Sequence, residues 1–527
     1  MRKKFLFIFV ALSFICCLVS CRIQFPGLSY GQSWVHSLDY SFSDKDKEEI
    51  ENRMAKLDEL VMKDSYQDLN NEYIRFIKGD VYSILTYQSQ AYLKYSIDMK
   101  MDSYNQYQDI TNYLMKIEEW ETKFYKKVYD SSFKEQFFIG YSEEEILDLI
   151  KEYPKEYYVL EEENNKLYSE YESISDVDVN ERIPSLYKEL VVNFNKQAKL
   201  CGYDDYRDFA YKNVYGRDYK YNDTKDFSNY TKSYVISALE RKINEFDELK
   251  SKASTKNINA VSSFISDKYT AYQDEFESFA KEIGGSYYLA YQSLFDNGYY
   301  YFSDNGMEGA YTTYLNNKNT PVCFFGPGYQ DISTVVHEFG HYYSMLQRGN
   351  QGGSFDLAET QSQANEALFL SYLVSYKKLS DKTLSMIKDY YLSDLLLTIV
   401  LSSIVNDFEN IVYSSNSLSV LDLDQTFINV CDNYGGYEHL KELVGNDFDD
   451  YWRFVVVNNP LYYISYSVGL IPAINLYQLG LNDFTKAANI YNSIVIYDYN
   501  MPYLELLNNA GLANPFDESS FSVFNII

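Results

Sequence analysis

The sequence predicts a mainly α-helical protein that carries one small β-sheet, and three observations lead there. Proline is scarce, with 9 in 527 residues and none over 27–153, 185–320 or 328–459. Proline interrupts helix interiors, so such long proline-free stretches favour long helices. Apolar residues recur at helical spacing over most of the length. The exception is 283–330, where Gly284, Gly285, Gly298, Gly306, Gly309, Gly326 and Gly328 separate the aromatic runs 299–302 and 322–325. That pattern reads as a small sheet with turns set into a helical body.

Taken in chain order, the elements begin with an address. Residues 1–20 carry Arg2, Lys3 and Lys4 ahead of an apolar stretch from Phe5 to Leu18, the layout of a secretory signal. The run Leu18-Val19-Ser20-Cys21 resembles a bacterial lipobox, in which Cys21 becomes the lipidated first residue. A polar leader over 21–45 follows. The expected location is the bacterial cell surface, extracytoplasmic and anchored to the membrane by lipid. An amino-terminal helical region is expected over 46–190. Ser43 or Asp44 would cap its first helix, and Ile50, Met54, Leu57, Leu60 and Val61 would share one face. A second region, 191–527, starts as one helix stops at Gly202. It resumes helical periodicity over 224–282, passes through the sheet, and returns to helices from 331 to about 512. The apolar run 395–405 is too short to span a bilayer and reads as a buried helix.

Composition excludes some functions. The net charge is −29, and it becomes −29 − 3 = −32 once residues 1–20 and their three cations are removed. A nucleic-acid footprint needs the opposite sign. Besides Cys21, the cysteines left are Cys201, Cys323 and Cys431. An odd, widely spaced trio gives neither a disulfide framework nor a thiolate metal site.

The chemistry concentrates in DISTVVHEFGHYYSMLQR, residues 331–348. His337 and His341 are four apart, so on a helix both imidazoles project from one face and can share a zinc ion. Glu338 adjoins the first histidine and can take a proton from a zinc-activated water. Asp331 or Ser333 can cap this helix, and Ile332, Val335, Val336 and Phe339 give it a buried side. Such a site needs a third protein ligand. The best candidate is Glu359, in the helical stretch FDLAETQSQANEALFLSYL over 355–373. Asp356 and Glu366 lie on the same helical face and are expected to support the ligands from behind.

His337-Glu338-Phe339-Gly340-His341 resembles the HEFGH signature of the thimet oligopeptidase and oligoendopeptidase F family of zinc metallopeptidases. Ala358-Glu359 followed by Gln363, Asn365, Glu366 and Ala367 is similar to that family's glutamate-ligand helix. The run 200–206, LCGYDDY, is similar to the LGYxxY segment that opens its catalytic region. The run 460–469, PLYYISYSVG, looks like the family stretch that supplies substrate-contacting tyrosines, which makes Tyr462 and Tyr466 candidates to steady an oxyanion. One departure stands out. The family carries a histidine shortly before this proline, where the present chain has Val455-Val456-Val457.

The resemblance implies a helical peptidase body around a deep channel, with one Zn²⁺ per chain and short peptides as substrates. It also implies a sheet edge that binds an extended peptide by strand addition, and 321–326 is the candidate edge. Hydrolysis of short oligopeptides by a surface-anchored enzyme is the function expected. A lipoprotein that binds peptides without cleaving them is the alternative.

Overall fold

The computed structural model describes residues 42–174, 179–266, 269–349, 353–375, 379–415, 422–497 and 501–527. Residues 1–41 lie outside the described residues, so the signal segment, Cys21 and most of the leader have no structural account. Helices dominate, as expected, and the sheet has three strands. The first helix, Asp44–Val61, is capped by Ser43 in a full capping box with Asp46, which satisfies two otherwise orphaned amide donors. Ile50, Leu57, Leu60 and Val61 form its buried stripe.

Among the described residues two hydrophobic cores form. The smaller draws on helices between 44 and 149 and includes Leu69, Phe76, Leu93, Ile117 and Phe124. The larger runs from Ile183 to Ile527. The expected boundary at 190/191 falls inside the helix Val179–Leu200, whose Ile183, Leu186 and Leu190 belong to the larger core. Tyr153 and Tyr157 also pack on the larger core, so the two cores divide near residue 150. The helix Val179–Leu200 is followed by Gly202 at φ +90°, where a positive φ suits glycine and ends the helix.

The sheet lies between the two cores. Its strands are β1 (Tyr300–Phe302), β2 (Ala310–Leu315) and β3 (Thr320–Phe325), in the order β1-β3-β2. β1 pairs parallel to β3, and β2 pairs antiparallel to it. Successive side chains of a strand point to opposite faces. Val322 and Phe324 therefore enter the smaller core, and Cys323 and Phe325 enter the larger. This corrects the expectation for 321–326: β3 is the central strand, paired with β2 along its length and with β1 over Cys323–Phe325, so it is not the edge of the sheet. The outer edges belong to β1 and β2. The helix Tyr82–Asp98 partly covers β2, and Ser89 Oγ there donates to the Tyr314 carbonyl at 3.2 Å.

Three helices of the larger core build the framework of the site: the histidine helix Ile332–Arg348, the glutamate helix Phe355–Ser375 and the tyrosine helix Ile464–Asn482. Their close approach depends on two glycines. A Cβ on Gly340 would lie 2.6 Å from Ser362 Cα, and one on Gly469 would lie 2.5 Å from Gln363 Oε1 and 3.0 Å from Thr360 N. Both positions let backbones approach more closely than any side chain permits.

The run 395–405 sits within a 34-residue helix, Asp381–Ser414, long and apolar enough to cross a membrane. Within its apolar window 78% is buried inside the protein, which marks it as the core helix of the larger body. Cys201, Cys323 and Cys431 are buried free thiols.

Candidate metal centre

Asp331 caps the histidine helix by accepting from the amides of Ser333 and Thr334. Ile332, Val335, Val336 and Phe339 are buried, and Phe339 meets Phe276 and Tyr287 edge-on. This packing sets the helix rotation and turns His337 and His341 toward the glutamate helix, with ring centroids 5.0 Å apart. Asn365 bolts the two helices together. Its amide donates to the Val336 carbonyl at 2.7 Å, and its own carbonyl accepts from the Tyr287 hydroxyl at 2.7 Å.

His337, His341 and Glu359 converge, each offering one ligand atom within 4.8 Å of the others. His337 Nε2 lies 3.6 Å from Glu359 Oε2, and His341 Nε2 lies 3.9 Å from Glu359 Oε1. Ligand atoms around a tetrahedral zinc with bonds of ~2.0 Å stand about 3.3 Å apart, so the set has the right scale. His337 Nε2 and Glu359 Oε2 are buried and make no hydrogen bond. Buried polar atoms are normally satisfied, and a shared cation would satisfy both. Three carboxyl groups, those of Glu338, Glu359 and Glu366, crowd round His337, and burial leaves Glu338 and Glu359 reluctant to ionise together without a further positive charge. That crowding also calls for a cation.

The surrounding contacts orient the ligands. His337 Nδ1 is 2.6 Å from Glu366 Oε1, and Glu366 Oε2 accepts from the Tyr391 hydroxyl at 2.6 Å. A carboxylate on the far nitrogen fixes the tautomer that leaves Nε2 toward the metal. Glu338 is buried, and its Oε2 accepts from Thr312 on β2 at 2.7 Å. The Tyr462 hydroxyl donates to Glu359 Oε1 at 2.5 Å. Tyr466 packs edge-on against Tyr462 at 5.4 Å, and its carbonyl accepts from Gln363.

Asp356 has a different setting. It forms a fully buried ion pair with Arg217, Nε to Oδ1 at 3.2 Å, and accepts from Ser465. It therefore supports the tyrosine segment, while Glu366 supports the histidines. Val456 and Val457 are core residues, 0% and 1% exposed, and contribute packing where the family carries an imidazole.

The electrostatics are strongly coupled. Burial pushes Glu338 up to about 7, with His337 and Thr312 opposing it. Glu359 also rises to about 7 through burial, against the pull of His337 and Tyr462. Burial works against a charge on His337, yet Glu366, Glu359 and Glu338 outweigh it and raise the imidazole to about 9. Burial and the neighbouring His337 hold His341 well below the usual histidine range.

Residues 308–479 match the model of peptidase family M3. The matched segment holds β2, β3, the histidine and glutamate helices and Tyr462 and Tyr466. The fold of the whole chain is similar to that of PZ peptidase A solved with an inhibitor. That likeness has a TM-score of 0.74 and 16% identity, over 92% of this chain and 97% of that one. A putative oligoendopeptidase F from Bacillus anthracis matches at a TM-score of 0.69 and 17% identity, over 92% and 96%. The M32 carboxypeptidase of Deinococcus radiodurans matches at 0.54 and 12%, over 85% and 98%. No curated protein matches the sequence.

Thr312, Tyr391 and Arg217 were not legible as site residues. Thr312 lies on a strand 26 residues before Glu338, Tyr391 is one of 57 tyrosines, and Arg217 lies 139 residues from Asp356 and outside the segment that matches the family model. Arg217 carried one usable signal. It stands in the tyrosine-rich run 211–221, YKNVYGRDYKY, and an arginine buried among aromatic rings needs a partner for its charge.

Proposed function

We propose that this chain is a zinc metalloendopeptidase that cuts short oligopeptides, held at a bacterial cell surface by a lipid on Cys21. The observation that carries the catalytic reading is the convergence of His337, His341 and Glu359 with two orphaned ligand atoms beside a buried Glu338. The M3 match over the same residues supports it. His337 Nε2, His341 Nε2 and Glu359 would hold the zinc. Zinc, when bound, polarises a peptide carbonyl and acidifies water. Thr312 occupies Glu338 Oε2, so Oε1 is the atom that takes the water proton. Glu338 then delivers that proton to the leaving amine. The Tyr462 hydroxyl is committed to Glu359, so its part is to orient the carboxylate ligand. Tyr466 is the better candidate for an oxyanion donor.

The test uses purified zinc-loaded protein and a mixed oligopeptide library read by mass spectrometry. Wild type should cut it, and Glu338→Gln should keep its zinc and lose about 10³-fold in kcat. An uncut library, or equal cutting by both proteins, would end the hydrolase reading and leave peptide binding. The anchor has its own test. Cys21→Ser should shift the protein from the membrane fraction to the soluble one and abolish labelling by a fatty-acid probe.

A further inference from the structure

The segment leading into the tyrosine helix contains an unusual backbone. Leu461 has φ +64°, a left-handed conformation rare for a side chain of its size. It is held on both sides: its amide donates to Glu409 Oε1 at 2.7 Å, and its carbonyl accepts from Arg217 Nη1 at 2.9 Å. Arg217 Nη2 also donates to the Tyr462 carbonyl at 3.2 Å and to Ser465 Oγ at 2.9 Å, and its Nε meets Asp356. The Tyr215 hydroxyl donates to the Pro460 carbonyl. The guanidinium lies over the rings of Tyr211 and Tyr215, at 4.3 and 4.5 Å. Asp356 is one turn before Glu359 on the glutamate helix. One planar cation thus ties the helix that bears a metal ligand to the segment that bears Tyr462.

We infer that Arg217 is a positioning residue for peptide hydrolysis, fixing Tyr462 against Glu359 and Tyr466 beside Tyr462 through its buried bonds to 461, 462, Ser465 and Asp356. This rests on the function proposed above. A strained residue persists only where its surroundings over-determine it, and here both polar groups of residue 461 are taken by buried charges. Lysine cannot substitute, because a single ammonium cannot serve four acceptors spread around a planar fork.

The test is hydrogen exchange on Arg217→Met, combined with zinc content and steady-state kinetics. Amides in 459–467 should exchange about tenfold faster, with the histidine helix and the glutamate helix beyond its first turn unchanged. Zinc content should stay at that of wild type. kcat should fall about 100-fold with KM within about threefold, as expected when a transition-state contact is misplaced. Unchanged exchange in 459–467, or faster exchange spread equally over all three helices, would overturn the inference. Should Arg217→Met not fold, Ser465→Ala removes one bond to each partner and is judged by the same contrast. If wild type cuts no peptide, the proposed function fails, and the exchange contrast still decides whether Arg217 fixes the segment.

Discussion

His337 shows how far one side chain depends on its neighbours. In the metal-free protein it keeps a proton up to about 9 because three carboxylates surround it. Zinc binds only the neutral imidazole, so loading must expel that proton. Zinc affinity should therefore rise by about tenfold per pH unit between pH 7 and 8, and more steeply below 7, where Glu359 must also lose its proton, as measured with a competing chelator. A flat profile would mean that His337 is already neutral. In stability terms, a raised histidine contributes fully below its unfolded value near 6.5 and loses the contribution as pH climbs through about 9. Metal-free protein should lose that part of its stability over the same window. Glu366 contributes most among the carboxylates behind this shift and holds Nδ1. Glu366→Gln should weaken zinc binding about 10- to 100-fold, the usual consequence of removing a ligand's supporting group.

Between elements, the decisive contact is the histidine helix against the glutamate helix. Gly340 sits where a methyl group would meet the Ser362 backbone at 2.6 Å. Backbone cannot rotate away as a side chain can, so Gly340→Ala must separate the helices. The expected cost is about 1–3 kcal/mol in stability. Glu359 also draws away from the imidazoles, so zinc affinity should fall more than the lost stability alone would suggest. Thermal melts with and without zinc measure both effects. Gly469→Ala meets Gln363 Oε1, a side-chain atom, but also Thr360 N at 3.0 Å. It should move the tyrosine helix and lower kcat while leaving zinc binding closer to wild type.

At the scale of the whole molecule, a zinc ion held by His337, His341 and Glu359 would join two helices of the larger core and should stabilise that body. Zinc at a hundredfold excess over its Kd adds about 2.7 kcal/mol if only the folded chain binds it. Chelation should therefore lower the Tm of wild type and leave that of His341→Ala unmoved. The sheet couples the smaller core to this body, since alternate residues of β3 enter each. Phe324→Ala removes a fully buried ring on the smaller-core face and should cost about 3–5 kcal/mol. Cys323, its neighbour in sequence, faces the other core.

Patterns that repeat within a few residues were decided by the sequence alone. Proline-free periodicity gave the helices, glycine clustering gave the sheet, and His337-Glu338-x-x-His341 with Glu359 gave the set of residues that meets. The capping by Asp331 was likewise local. Apart from the pairing with Glu359, which the family resemblance supported, these depend on side chains a few positions apart, whose relative directions follow from the pitch of a helix or the pleat of a strand. The tertiary structure decided what depends on distant segments meeting. It made β3 the central strand and divided the cores near 150. It gave Tyr462 to Glu359, and it drew Asp356 to Arg217. No local period encodes which carboxylate faces a buried guanidinium 139 positions away. Burial makes that choice, because a charge removed from water must find its partner wherever packing puts one.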